Sequence, residues 1–279
     1  MVREYKWQLK IRSYEGDAWG LLPASGVMRY LEESAVVAAR DVGYGREFHE
    51  KHGSAWIIRR MSLALCAPAR IHENLEIATW ISHFDRVRGG REYRVVNADS
   101  KELVARGLAE WVYIERKTLR PIAIPRELTV DFDTPGAPLG EYSAPTLTPL
   151  ARQREFSVGR VAEWHECDSM GHVNNTVYVD WLDDAWRAAM GELGWEVGDL
   201  VKRGLQWRGE HYKLDYKRAA LPGDHLTIVT RVEAMQGRLC LISQAITTAA
   251  GVEIMAASTV YGWYTGEGYP IEAPGISLE

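Results

Sequence analysis

The stretch DSMGHVNNTVYVDWLDD, residues 168 to 184, decides how this chain is read, because DAWGLLPASGVMRYLEE, residues 17 to 33, is its counterpart 151 positions earlier. At that offset Glu15 falls on Glu166, Asp17 on Asp168, Gly20 on Gly171, Leu31 on Leu182, Gly43 on Gly194, Trp56 on Trp207, Leu63 on Leu214, Leu75 on Leu226, Glu102 on Glu253 and Tyr113 on Tyr264. These identities are only slightly more than the roughly seven that ordinary composition gives over such a length. Conservative pairs add to them, since Glu32 and Glu33 fall on Asp183 and Asp184, and Tyr44 on Trp195. The chain therefore reads as an internal duplication.

Both halves show one order of elements. In the first, YKWQLKIR reads as a short strand, and Val27, Tyr30, Leu31, Ser34, Ala35 and Ala38 then recur at helical spacing until Gly43. Four stretches rich in β-branched and aromatic residues follow, at 54–66, 74–84, 91–99 and 103–116. In the second half EFSVGRVAEW precedes a helix over 174–194, and four further strands follow it. The helix carries an apolar stripe of Tyr178, Trp181, Leu182, Ala185 and Trp186, too wide for a surface helix, so a sheet should wrap it. A long helix with a run of long strands is an α+β unit. Residues 127–153, where Pro135, Pro138, Pro145 and Pro149 sit among Gly, Ser and Thr, read as a linker between domains at 1–126 and 154–279.

Composition bounds the function. With 279 residues, 46% hydrophobic and 25% charged, the chain has the make-up of a soluble globular protein. No apolar run approaches the roughly 18 residues a membrane span requires, so no membrane partner is expected, and the charged opening MVREYKWQLKIR does not read as a secretory signal. Cys66, Cys167 and Cys240 form neither a disulfide framework nor a metal site, which predicts a cytoplasmic protein. Residues 1–126 carry a net charge of +5 and the remainder −10, which excludes a uniform nucleic-acid binder. The basic half is either solvated surface or a docking face for something acidic. His49 and His52 stand three apart without further ligands, and no phosphate loop, serine elbow or HExxH string is present, so neither a metal nor a cofactor is expected. Of eleven tryptophans, nine fall on the expected helices and strands, Trp164 among them, leaving Trp19 and Trp195 outside.

The densest polar cluster is Asp168, His172, Asn174 and Asn175, between the first strand and the helix of the second half. A helix N-terminus offers unpaired N–H groups and partial positive charge, which suits a carbonyl developing negative charge. Asn174 or Asn175 is placed to cap it. Histidine titrates near neutral pH, and Asp168 could orient His172 or act as general base. A capped helix whose loop happens to hold a histidine is the plainer alternative.

The longer string Asp168-x-x-Gly171-His172-Val173-Asn174-Asn175-x-x-Tyr178-x-x-Trp181-x-x-Asp184 resembles the signature of hotdog-fold thioesterases, in particular the acyl-ACP thioesterases of plants and bacteria, which carry D-x-N-x-HVNN-x-x-Y-x-x-W and then a helix acid. IRSYEGDAWGLLPASGVMRYLEESA resembles the opening segment of that family. The resemblance implies a tandem hotdog, in which each long helix is wrapped by an antiparallel sheet and the sheets join edge to edge. It also implies hydrolysis of fatty acyl thioesters of acyl carrier protein, with Asp168, His172, Asn174 and Asp184 as catalytic candidates. Asp184 is either a buried second carboxylate or a surface acid beside Asp183. Met170 stands where the family has Asn, and Ala219 and Ala220 where it has Glu and Cys, so no cysteine nucleophile is available there.

The first half has Leu21, Leu22 and Pro23 in place of His172, Val173 and Asn174, and reads as catalytically silent. It could form the acyl tunnel, with Trp19 and Met28 as substrate contacts beside Met170 and Asn175 of the second half, or these residues are core packing. The carrier protein would meet Arg59, Arg60 and the arginines from Arg86 to Arg94. Two other readings stay open, an acyl-CoA thioesterase and a binding module without activity. A tandem hotdog already holds a pseudo-twofold, so either a monomer or a homodimer is compatible with it.

Overall fold

A computed structural model describes residues 4–132 and 144–274. The chain divides into two compact units, Met1–Tyr142 and Ser143–Glu279. The first holds β1 (Tyr5–Lys10), α1 (Ala24–Asp41), α2 (Arg46–His52), β2 (Ser54–Leu65), β3 (Asn74–Phe84), β4 (Arg88–Asn97), β5 (Leu103–Glu115) and α3 (Arg126–Asp131). The second holds β6 (Pro149–Val161), α4 (Val177–Glu192), α5 (Val197–Lys202), β7 (Leu205–Tyr216), β8 (His225–Gln236), β9 (Leu239–Thr248) and β10 (Glu253–Thr265). Strand order is β1-β3-β4-β5-β2 in one and β6-β8-β9-β10-β7 in the other, with antiparallel pairing throughout. Each unit is a hotdog, and the duplication read from the sequence is a duplication of fold.

The register refines it. Bounds of β2 and β4 and the start of β3 recur 151 residues later, but Trp56 lies opposite Tyr113 whereas Trp207 lies opposite Trp263, so the last strand recurs at 150. The turn before β5 is one residue longer than the turn before β10. Glu102 and Glu253, and Tyr113 and Tyr264, are therefore not equivalent positions.

Each helix is buried along its apolar stripe because the sheet curls over it. α4 buries Tyr178, Val179, Trp181, Leu182, Ala185, Trp186, Ala189 and Met190. Gln244 of β9 donates to the mid-helix carbonyl of Leu182 at 2.8 Å. Beside Trp186, ring centroids of Trp207 and Trp263 lie 4.1 Å apart, and Trp195 meets Trp263 edge-on at 5.1 Å. Trp195 thus belongs to the core, whereas Trp164 sits in a 3-10 turn, 78% exposed, and not on a strand. The indole N–H groups of Trp186, Trp207 and Trp263 have no hydrogen-bond partner among the described residues, so buried area and ring geometry hold this cluster.

The expected linker is partly structured. Within 127–153 lie most of α3 and the start of β6, and fully buried Leu128 packs with Tyr44 and Tyr113. Leu128 and Phe132 form an i,i+4 apolar pair that the surrounding prolines obscured. Pro135 and Pro138 lie outside the described residues.

Two charged groups enter the cores. On α4 the buried acid is Asp183, not Asp184: Tyr212 and Tyr261 both donate to its Oδ1, at 3.0 and 2.5 Å. Burial raises the Asp183 carboxyl above its ordinary value, against the pull of Arg187 and the two hydroxyls. A Cβ at Gly209 would overlap the Tyr212 hydroxyl, so glycine there admits the network. Asp184 is exposed and pairs with Arg187 at 3.4 Å. Asp183 shares its face with Trp186 and Met190, at the edge of the stripe, while Asp184 is turned a further ~100° away. In the first unit Arg91 of β4 is 5% exposed, donating to Thr79 Oγ1 at 3.2 Å with its guanidinium 5.6 Å from the Phe132 ring, where β9 has Ile242. Arg88 pairs with Glu110 and Arg94 with Glu4, so these three arginines of the expected docking face are already engaged.

Leu128→Ala should lower the free energy of unfolding by about 2–4 kcal/mol, measured by denaturant titration; a loss of under about 0.5 kcal/mol would place α3 outside the core. Because the folded state favours protonated Asp183, that group adds stability below its unfolded value and loses it as pH rises through its folded value. Asp183→Asn keeps an acceptor for both hydroxyls, so its Tm should gain on the wild type as pH rises from about 4 to 8. A pH-independent difference would show that burial does not raise this carboxyl.

Candidate active site

The loop between β6 and α4 is built on Glu166. This residue ends the 3-10 turn Trp164–Glu166 and is 7% exposed. Its carboxylate accepts from the Glu163 N–H at 2.7 Å and the Trp181 indole at 2.8 Å, and pairs with Arg160. Burial alone would raise this carboxyl, but those three donors outweigh it and hold it below the usual carboxylate range. Trp181 of α4 is thereby tied to the turn that precedes the loop.

From that anchor the loop closes on itself. The Asn174 N–H reaches the Glu166 carbonyl at 3.0 Å, the Asp168 N–H the His172 carbonyl at 3.0 Å, and the Gly171 N–H the Asp168 carbonyl at 3.0 Å. Gly171 has φ +80, a left-handed conformation that suits glycine. Asp168 Oδ1 accepts the Met170 N–H at 2.7 Å, while Oδ2 stands 3.8 Å from His172 Nδ1, beyond a hydrogen bond. Both side chains keep a quarter or more of their surface exposed. Asn174 caps the turn that leads into α4 through Thr176: its Oδ1 accepts the N–H and hydroxyl of Thr176 at 2.9 and 2.7 Å, and its carbonyl accepts the Val177 N–H. The Asn175 N–H, next after the cap, has no acceptor among the described residues, and the Asn175 carbonyl accepts the Tyr216 hydroxyl at 3.0 Å.

Asp168, Met170, His172, Asn174 and Asn175 are thus brought together on one loop. Asp184 is not, standing ten residues beyond the cap, about 15 Å along the helix. Ala220 contributes backbone only, its carbonyl accepting the Val173 N–H and its N–H donating to the Tyr178 hydroxyl at 2.9 Å. Burial raises that tyrosine to about 12. The arrangement offers an exposed carboxylate oxygen, an imidazole and an open N–H at a positive helix end, the parts needed to activate water against a carbonyl.

The first unit repeats the loop without those parts. Glu15 accepts from the Arg12 N–H and the Tyr30 hydroxyl, and Asp17 repeats the closing bonds. Asp17 Oδ1 accepts both the Trp19 and Leu21 N–H groups, and buried Leu21 occupies the place of His172. Trp19 is half-buried here, and Met28 is buried on α1. His49 bonds Ser54 at 3.1 Å and His52 stacks on Phe48. The anchoring role of Glu166 escaped the sequence reading, although its identity with Glu15 was the available signal.

Comparison with known proteins matches this division. Residues 3–132 match the acyl-ACP thioesterase N-terminal domain, and residues 162–265 match the thioesterase-like superfamily. A palmitoyl-acyl carrier protein thioesterase of Cuphea hookeriana is 24% identical over 190 residues, 64% of this chain and 46% of that protein, so the chain spans about half the length of the curated relatives it matches. An acyl-CoA thioester hydrolase of Escherichia coli is 22% identical over 128 residues, 46% of this chain and 95% of that protein. Among solved structures, a 12:0-ACP thioesterase from Umbellularia californica superposes with a TM-score of 0.71 at 20% identity, covering 94% of each chain. An acyl-ACP thioesterase from Bacteroides thetaiotaomicron superposes with a TM-score of 0.72 at 16% identity, covering 92% of this chain and 97% of that one. These two likenesses extend the tandem fold over nearly the whole chain. The first unit thus matches the N-terminal domain of acyl-ACP thioesterases and the second a thioesterase-like domain, and over both units this chain is similar to acyl-ACP thioesterases.

Proposed function

We propose that this protein hydrolyses fatty acyl thioesters of acyl carrier protein, releasing the free acid and the carrier thiol. The observation that carries the reading is the open carboxylate of Asp168 beside His172, at the capped start of a helix, in a chain that matches the acyl-ACP thioesterase N-terminal domain and a thioesterase-like domain. The carbonyl oxygen of the thioester would accept from the Asn175 N–H, where charge developing in the transition state meets the positive helix end. Asp168 Oδ2 takes a proton from water as its oxygen bonds to the carbonyl carbon. The C–S bond then breaks, and the sulfur leaves with the electron pair and is reprotonated. A thiol of pKa about 8.5 needs little acid assistance, so the proton held by Asp168 returns to the sulfur while His172 orients the water.

Met170 cannot hold that water with a side-chain hydrogen bond, and no cysteine stands at 219 or 220 to form a cysteinyl intermediate there. The same departures are what favour the second reading, a binding module without turnover. Thiol release from purified protein given acyl-ACP and acyl-CoA separates the two, and no turnover of either ester would leave only the binding module. Asp168→Asn should lower kcat at least about 100-fold while its Tm stays near that of the wild type. Unchanged turnover would remove the site from this loop. Asp184→Asn should leave kcat within about twofold, since a residue some 15 Å along the helix lies outside the reacting group.

A further inference from the structure

The start of α1 is shut away from solvent, yet its hydrogen-bond donors are unmet. Ala24, Ser25 and Gly26 form the first turn and are buried, Ser25 with only 1% of its surface exposed. The first bond into the turn runs from the Val27 N–H to the Pro23 carbonyl at 3.0 Å, and the N–H groups of the three residues before Val27 have no acceptor among the described residues. The Ser25 hydroxyl, in the same turn, is buried without a partner as well. Four donors with no acceptor thus gather at the positive end of an 18-residue helix, where burial makes each of them costly to leave unmet.

The duplication shows what the turn lacks. In the second unit the equivalent residues are Asn175, Thr176 and Val177, preceded by Asn174. Asn174 Oδ1 accepts both the N–H and the hydroxyl of Thr176, and its carbonyl accepts the Val177 N–H, so only the Asn175 N–H of that turn stays open. In the first unit Pro23 stands at the place of Asn174 and caps with no side chain, which leaves the Ser25 N–H and hydroxyl without the acceptor that Thr176 has. The half without the histidine therefore has more open donors at its helix end than the half that keeps it.

We infer that the start of α1 binds the carboxylate of a free fatty acid, with the N–H groups of Ala24, Ser25 and Gly26 and the Ser25 hydroxyl donating to its oxygens. The inference rests on the proposed hydrolysis, of which that acid is the product. A helix end with unpaired N–H groups suits a single negative charge. No lysine or arginine stands between Asp17 and Met28, so nothing in this segment favours a multiply charged phosphate. The residues on either side of the turn, Leu21, Leu22, Val27 and Met28, are buried and apolar, and suit a hydrocarbon chain. Asp17 Oδ1 is bonded to two N–H groups of its own loop, whereas Asp168 keeps an oxygen open beside the other helix end, where it repels a product anion. The silent half is by this inference a product site and not a second catalytic one.

Titration with dodecanoate carrying carbon-13 at its carboxyl group, followed by NMR below the concentration at which the acid forms micelles, tests the site without requiring turnover. The wild type should give a bound carboxyl resonance that Asp168→Asn leaves in place. Pro23→Asn supplies Ser25 with the acceptor that Thr176 has, and Ser25→Ala removes the hydroxyl; each should weaken that binding about tenfold or more, the scale of a hydrogen bond to a charged group. Asparagine is a good cap, so Pro23→Asn should melt no lower than the wild type, and Ser25→Ala decides the matter by itself if that variant fails to fold. A resonance that both variants leave unchanged, or that only Asp168→Asn removes, would overturn the inference. So would the absence of any bound resonance, which would leave ordered water as the partner of these donors. Absence of thioester turnover in the wild type would refute the proposed hydrolysis, and the titrations would still decide whether the first unit holds a carboxylate.

Discussion

A carboxylate withdrawn from water holds each unit in shape. Removing such a charge costs several kcal/mol unless donors replace its hydration, and Glu166 is supplied with a backbone N–H, an indole and a guanidinium. Glu15 is supplied with the same kinds of partner, the hydroxyl of Tyr30 standing for the indole. Since Tyr30 and Trp181 occupy equivalent helix positions, the anchor ties the turn after the first strand to the middle of the first helical turns. The aspartate two residues beyond the anchor, and the left-handed glycine after it, are then delivered to the helix end. The catalytic geometry proposed for the second unit is a consequence of that tether.

Much of the fold was legible in the sequence. The wide apolar stripe of α4 and the β-branched strands specify a helix wrapped by a sheet, and the repeated glycines Gly43 and Gly194, at φ +92 and +86, mark both helix ends. The loop residues from Asp168 to Asn175 came together as expected because they are contiguous, so local geometry alone assembles them. The features that stayed hidden depend on long-range contact. A single residue in the turn before β5 shifts the last strand against the repeat, and a uniform offset cannot register it. Asp183 and Asp184 are neighbours with opposite fates, decided by how far the sheet curls round the helix. Trp164 reads as a strand residue until the early end of β6 at Val161 puts it in a turn.

The two units have also diverged inside. Where β9 has Ile242, β4 carries the buried Arg91, and where α1 has Glu32, α4 has Asp183 bonded to two tyrosines. Met61 stands in the first unit at the place of Tyr212, so that polar network has no duplicate. The shared backbone tolerates either content because the sheet register and the carboxylate tether, and not any one core side chain, define the hotdog.

The tryptophan cluster gives the second unit an optical signature of its own. Indoles as close as Trp207 and Trp263, tilted by 36° at 4.1 Å, with Trp186 and Trp195 in contact, couple their excited states and absorb circularly polarised light as a group. The N–H groups of Trp186, Trp207 and Trp263 are buried with no acceptor among the described residues, so their emission lies toward the blue while the cluster is packed. The coupled absorption of this cluster is thus a built-in spectroscopic reporter of the packing around α4.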